Sequence, residues 1–120
     1  MLDKSKIYFS YFAKTRGIPA DQLVSVAAST PTGFRGIRAF DLAPKWDMVS
    51  ALKSGRITET QFAQLYQQHV LSVLDPLRIY ETYRGKILCC YEKPTSFCHR
   101  NLIMSWLKDN LGSDVIGGEI

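Results

Sequence analysis

The chain has 120 residues, 46% of them hydrophobic and 22% charged, which predicts one globular domain (residues 1–120) with a single hydrophobic core. Fifteen Lys and Arg residues against eleven Asp and Glu give a formal charge of +4, which favours anionic partners but is too small to indicate a nucleic-acid binder. No apolar run approaches the roughly 20 residues of a membrane span, and the N-terminal residues do not resemble a signal peptide. A cytoplasmic protein without membrane contact is therefore expected.

The first third of the chain predicts two strands and a long loop. The segment "KIYFSYF" (residues 6–12) is rich in aromatic residues, and "QLVSVAAS" (residues 22–29) has the small and β-branched residues of a strand buried on both faces. The following residues 30–44 contain two glycines and two prolines, which are typical of an ordered loop. Loops of this length in compact domains are often functional.

Three helices are predicted in the middle of the chain. The first begins at Pro44 and ends at Gly55. The second begins with a capping box, in which Thr58 and Gln61 satisfy each other's backbone N–H groups. Its apolar stripe continues until Asp75-Pro76, where a third, shorter helix starts and runs to the glycine at position 85.

The C-terminal third predicts a strand, a helix and a strand. The apolar segment "KILCCYE" (residues 86–92) suits a central parallel strand, Ser96 can cap the next helix, and "DVIGGEI" (residues 114–120) is a last short strand. Crossovers between parallel strands are right-handed. The fold class predicted is α/β: a small, mostly parallel sheet with helices on both faces, a Rossmann-like three-layer sandwich.

A candidate site lies between the strand at residues 86–92 and the helix that follows it. Ligands of open parallel sheets bind beyond the carboxyl ends of the strands, where Glu92, Cys98, His99 and Arg100 are expected to gather. A helix N-terminus attracts anions and lowers the pKa of a nearby thiol. We therefore predict that Arg100 binds an anion, that Glu92 or His99 transfers protons, and that Cys98 is a nucleophile.

Arg35 and Arg38 are two further candidates for anion binding, because they flank Gly36 in the long loop and could reach a ligand over the sheet edge. Solvated loop charge is the alternative for both. The ligand expected is a nucleotide or another phosphate-bearing small molecule, and no cofactor is predicted.

Each residue of the Cys-His-Arg motif also has a structural alternative. Cys98 could fill space in the core, His99 could cap backbone groups, and Arg100 could form a buried ion pair with Glu92. Three cysteines, two of them adjacent (Cys89 and Cys90), fit neither a disulfide framework nor a CxxC zinc motif. No metal site is predicted, because Cys90, Cys98 and His99 lack a fourth ligand at suitable spacing.

The segment "LCCYEKPTSFCHRNLI" resembles the C-terminal signature of the domain-of-unknown-function 488 family of small bacterial and phage proteins. In that signature a strand ends in Cys-x-Glu, here Cys90 and Glu92, and Cys-His-Arg opens a helix a few residues later. Family members often carry an arginine before the proline of the loop after the second strand, whereas Thr30 precedes Pro31 here. The resemblance implies a Rossmann-like α/β sandwich and no particular reaction.

Three functions remain open from the sequence. The first is an anion- or nucleotide-binding site at the carboxyl edge of the sheet, with or without catalysis. The second is a non-catalytic phage or bacterial module that binds a host protein, in which the motif is structural. The third is weak nucleic-acid binding, although the basic residues form no dense run.

Overall fold

The computed structural model describes residues 2–91 and 97–120. Within those ranges the strands are β1 (Ile7–Tyr11), β2 (Leu23–Ser25), β3 (Ile37–Arg38), β4 (Ile87–Cys90) and β5 (Ile116–Glu119), and the helices are α1 (Trp46–Lys53), α2 (Glu59–His69), α3 (Pro76–Tyr83) and α4 (His99–Leu111). All five strands are parallel and form one sheet in the order β3-β2-β4-β1-β5. The α/β class and the parallel sheet are confirmed.

Strand β4 lies at the centre of the sheet, between β1 and β2. Its Leu88 is in register with Phe9 of β1 and Val24 of β2. Successive side chains of a strand point to opposite faces, so Leu88 and Cys90 face one side of the sheet while Ile87 and Cys89 face the other. The continuous apolar segment of the sequence therefore serves two separate hydrophobic clusters.

The four α-helices pack in one layer. Their buried residues join the core cluster that contains Phe9 and Leu88, and they are Met48, Phe62, Tyr66, Ile79, Tyr83, Ile103, Trp106 and Leu107. On the opposite face the smaller cluster contains Leu23, Ile87 and Cys89, packed against apolar residues of connecting segments such as Phe12 and Phe34. The expected three-layer arrangement is thus wrong in one respect, because the second face carries connecting segments instead of α-helices.

The direction of the crossovers explains the single helical layer. The connections from β3 to β4 and from β4 to β5 both run in the same direction across the sheet, and together they contain all four α-helices of the described residues. Right-handed crossovers that run in one direction lie on one face. The connections from β1 to β2 and from β2 to β3 run the opposite way, so they cross the other face, and they contain only 3-10 turns and loops.

Local signals fixed several helix ends. The capping box is confirmed: the Gln61 backbone N–H donates to Thr58 Oγ1 at 3.1 Å, and the Thr58 N–H donates to Gln61 Oε1 at 2.8 Å. Pro76 opens α3, with Asp75 Oδ1 accepting a hydrogen bond from the Leu77 N–H at 3.1 Å.

Other ends differ from prediction. Helix α4 begins at His99 with Cys98 as its N-cap, later than expected, and the predicted cap Ser96 lies outside the described residues. A short strand, β3, was missed within the predicted loop, where Ile37 is in register with Val24. Within the described ranges, none of the helices has the length and apolar character that crossing a bilayer requires.

Candidate functional site

A cavity of about 90 Å³ lies at the carboxyl ends of β2 and β4. Its walls include residues 27–29, which follow β2, together with Cys90 of β4 and the start of α4 at Cys98 and His99. The chain leaves β2 towards one face of the sheet and leaves β4 towards the other. A crevice opens where neighbouring connections diverge in this way, which explains the position of the cavity.

The remaining wall of this edge cavity is mostly apolar, with contributions from α1, α2 and Phe97. Lys53, at the end of α1, is exposed and is the one Lys or Arg among the cavity's described lining residues. Its Nζ lies 5.8 Å from the centre of the Trp46 ring, and Trp46 is 59% exposed. The rim therefore combines an accessible indole face with an accessible ammonium group.

A hydrogen bond from one of its two ring nitrogens fixes the orientation of His99. Its Nε2 is hydrogen-bonded to the carbonyl oxygen of Val26, just beyond β2. Because a carbonyl can only accept, Nε2 carries the proton and Nδ1 of the neutral ring keeps a lone pair. Burial lowers the pKa of His99 to about 4, assisted by the positive charge of Arg100 and opposed by the bond to Val26. The imidazole is therefore neutral near pH 7, with Nδ1 available as a hydrogen-bond acceptor.

Arg100 is fully buried and anchors three elements together. Its Nε donates to Glu119 Oε1 of β5 at 3.0 Å, and its Nη1 donates to Cys90 Sγ of β4 at 2.7 Å. The guanidinium is not among the groups that line the edge cavity. In this structure Arg100 links the sheet to α4. Its guanidinium has no exposed surface at which it could bind an anion from solvent, as had been predicted.

Cys90 and Cys98 form a disulfide in the wall of the edge cavity. The prediction that the cysteines form no disulfide is wrong, because β4 and the N-cap of α4 bring two cysteines eight residues apart into contact. Cys98 is therefore not a free thiol in this state. Cys89 is the free cysteine of the described residues, and burial on the opposite face raises its pKa to about 12.

The predicted catalytic pair of Cys98 and His99 does come together, since Cys98 Sγ lies 3.9 Å from His99 Nδ1. Glu92, the third predicted catalytic residue, lies outside the described residues. The two loop arginines are not brought to the edge cavity. Arg38 lies over the exposed Phe40 ring, with its guanidinium carbon 4.9 Å from the ring centre, and Arg35 lines a different cavity.

That second cavity, which we call the loop-face cavity, has a volume of about 460 Å³. It lies against the smaller hydrophobic cluster, with Phe12 and Phe34 in its wall and their rings 5.4 Å apart. Arg16 and Arg35 are both in its lining, and both are exposed. Of the predicted anion-binding arginines, Arg35 is thus the one that reaches a cavity.

Sequence reasoning missed the rim of the edge cavity. Trp46 recurs at helical spacing with the apolar residues Val49 and Leu52, and the structure exposes it. The signal was present, because Trp46 and Lys53 are seven residues apart, two helical turns, and so share one side of α1. The Val26 carbonyl that orients His99 is 73 residues away in the chain. No local pattern in the sequence predicts that contact.

Within the part of the chain that the structure describes, no group of three or more His, Cys, Asp or Glu side chains could hold a metal ion. Comparison with protein-family models, curated proteins and solved structures finds no match to this chain. The resemblance of the Cys-x-Glu and Cys-His-Arg segments to a known family stays a prediction, and the functional argument rests on the geometry of the two cavities.

Proposed function

We propose that the chain binds a small anionic molecule at the edge cavity, with part of the ligand inside the cavity and its anionic group at the rim. The observation that carries this proposal is the pairing of an apolar cavity at the carboxyl edge of a parallel sheet with an accessible cation, Lys53, and the accessible aromatic ring beside it, Trp46. Apolar cavities with a few polar groups are the usual form of small-molecule sites.

The size of the cavity limits what can enter. At about 90 Å³ it is smaller than the roughly 150 Å³ apolar cavity that holds benzene, so it accepts a short or narrow group and not a whole nucleotide. A flat base would instead rest on the exposed Trp46 face outside the cavity. A phosphate or carboxylate would then pair with Lys53.

The N-terminus of α4 adds to the attraction for an anion. Cys98 and His99 place the first turn of this 13-residue helix in the cavity wall. The first backbone N–H groups of a helix lack intrahelical partners and carry roughly half a positive charge. Because His99 is neutral with a free lone pair on Nδ1, it can accept a hydrogen bond from a bound ligand.

The loop-face cavity is a second candidate for the same ligand class. Its volume of about 460 Å³ lies within the range typical of small-molecule sites, and Arg16 and Arg35 offer two guanidinium groups to a phosphate. Phe12 and Phe34 provide an aromatic wall. We favour the edge cavity, because it joins an accessible cation to the N-terminus of α4 and to an oriented, neutral histidine.

A thermal-shift screen tests both sites with the same ligands: inorganic phosphate and nucleoside mono-, di- and triphosphates. A ligand at a hundred times its dissociation constant adds about 2.7 kcal/mol, which is a rise of roughly 10 °C in Tm for a domain of this size. We expect Lys53→Met to abolish the shift and Arg35→Met to leave it unchanged. Lys108→Met, which removes an exposed lysine from α4, is the matched control.

The opposite pattern, in which Arg35→Met abolishes the shift, would move the site to the loop face. A shift that survives both substitutions would overturn both placements. If no phosphate-bearing ligand gives a shift, the interaction-module function is the stronger alternative. Binding to DNA or RNA that weakens steeply with salt would instead favour the nucleic-acid function.

A further inference from the structure

The Cys90–Cys98 disulfide lies between two groups that suit thiol–disulfide exchange. On one side, the unprotonated Nδ1 of His99 is 3.9 Å from Cys98 Sγ and can accept a hydrogen bond from an entering thiol. On the other side, the guanidinium Nη1 of Arg100 donates a hydrogen bond to Cys90 Sγ at 2.7 Å. Exchange requires that the entering thiol is oriented at one sulfur and that the leaving thiolate is stabilised at the other. The two requirements are met at different sulfur atoms.

Both cysteines line the edge cavity and are otherwise buried, with 1% and 3% of their surface exposed, so a thiol must enter the cavity to meet the disulfide. A volume of about 90 Å³ suits the sulfhydryl end of a small molecule. Cys89, the neighbour of Cys90, faces the opposite side of the sheet and lies in the other hydrophobic cluster. The fold thus directs one adjacent cysteine into the cavity and seals the other away from it.

We propose that Cys90 and Cys98 are a reversible redox pair that exchanges with low-molecular-weight thiols entering the edge cavity. The entering thiol, oriented by His99 Nδ1, loses its proton to solvent, and its sulfur attacks Cys98 Sγ. A mixed disulfide forms at Cys98, the Cys90–Cys98 bond breaks, and Cys90 keeps the electron pair as a thiolate beside Arg100.

A second thiol completes the cycle. Its sulfur attacks the small-molecule sulfur of the mixed disulfide, and Cys98 leaves as a thiolate that takes up a proton from solvent. The second thiol's proton passes to Cys90. In sum, two thiols are oxidised to one small-molecule disulfide and the protein disulfide is reduced to two thiols. The reverse sequence reduces a small-molecule disulfide.

This inference shares the edge cavity with the proposed function but does not need an anionic ligand. Glutathione carries carboxylates that can pair with Lys53, whereas 2-mercaptoethanol is uncharged. If Lys53→Met slows exchange with glutathione and not with 2-mercaptoethanol, both proposals stand. If Lys53→Met exchanges as fast as wild type with each of the two thiols, the redox pair stands and the anion site at Lys53 fails.

The test equilibrates the folded full-length chain with mixtures of reduced and oxidised glutathione and counts alkylated cysteines by peptide mass spectrometry. We expect Cys90 and Cys98 to change from protected to alkylated together, while Cys89 stays unlabelled. His99→Gln should slow reduction at pH 7 by roughly tenfold, the effect of losing one hydrogen bond to the entering thiol, with the same final ratio of oxidised to reduced protein. His69→Gln, on the exposed surface of α2, is the matched control.

Two variants, each with one cysteine replaced by serine, test the direction of attack without relying on His99. In Cys90→Ser, Cys98 should accumulate as a stable mixed disulfide with glutathione. In Cys98→Ser, Cys90 should form at least tenfold less of that adduct. The proposal is overturned if Cys90 and Cys98 are free thiols at every glutathione ratio, if they stay oxidised until the protein unfolds, or if Cys89 is labelled as fast as Cys98.

Discussion

Replacing His99 by Gln should make the protein less sensitive to acid. The folded state holds His99 neutral with a pKa of about 4, against 6.5 for an exposed histidine. Because the folded pKa is the lower of the two, the unfolded chain takes up the proton first as the pH falls. Stability is therefore complete above pH 6.5 and is lost progressively between about pH 6.5 and about pH 4.

The size of the effect follows from the same shift. Each pKa unit corresponds to about 1.4 kcal/mol, so the loss is about 3 kcal/mol once the pH is below 4 and slightly less at about pH 4.5. Gln at position 99 can still donate a side-chain N–H to the Val26 carbonyl, which preserves the contact that His99 makes. It carries no titrating group, so this part of the acid sensitivity disappears.

The assay is urea denaturation of wild type and His99→Gln at about pH 7 and about pH 4.5. The carboxylates of the chain contribute to acid destabilisation in both proteins, and their contribution cancels in the difference. We expect the variant to lose about 2 to 3 kcal/mol less than wild type on acidification. His69→Gln should behave as wild type. Equal losses in wild type and His99→Gln would show that His99 is not buried as a neutral ring.

Three further substitutions test the packing around the sheet. Arg100→Ala should cost about 3 to 5 kcal/mol in urea denaturation, because it removes a fully buried side chain that hydrogen-bonds both Glu119 and Cys90. Thr58→Ala should cost about 1 kcal/mol by the same measurement, since it removes the capping-box acceptor. Gly36→Ala should lower Tm by several degrees, because a Cβ there would lie 2.4 Å from the Leu23 carbonyl oxygen.

Each of these has a matched comparison. Arg78→Ala on the exposed side of α3 should stay within about 0.5 kcal/mol of wild type, and an equal loss there would contradict the role of Arg100. Thr82→Ala, within α3, should not reproduce the cost of losing the Thr58 cap. Gly33→Ala meets no neighbouring atom and carries only the strain of its φ of +87°, about 1 kcal/mol, so it should be milder than Gly36→Ala. A Gly36→Ala protein as stable as wild type would rule out the close approach.

The sequence alone determined the class of fold and several element ends. Aromatic and β-branched runs specify strands through side-chain sterics, and the Thr58–Gln61 box and Asp75-Pro76 specify helix starts through contacts between residues a few positions apart. The position of the edge cavity could also be predicted from the sequence, because parallel strands place their carboxyl ends at one edge of the sheet. Cys98 and His99 do line a cavity at that edge.

Only the tertiary structure decided how that site is built. Arg100, which was predicted to bind an anion, instead forms an ion pair with Glu119 of β5. His99 is oriented by its hydrogen bond to the Val26 carbonyl, and Cys98 is bonded to Cys90. Two of these partners are distant in the chain, and all three depend on strand order and crossover direction. Local sequence signals do not encode which strand becomes the neighbour of which, since that choice follows from the packing free energy of the whole core.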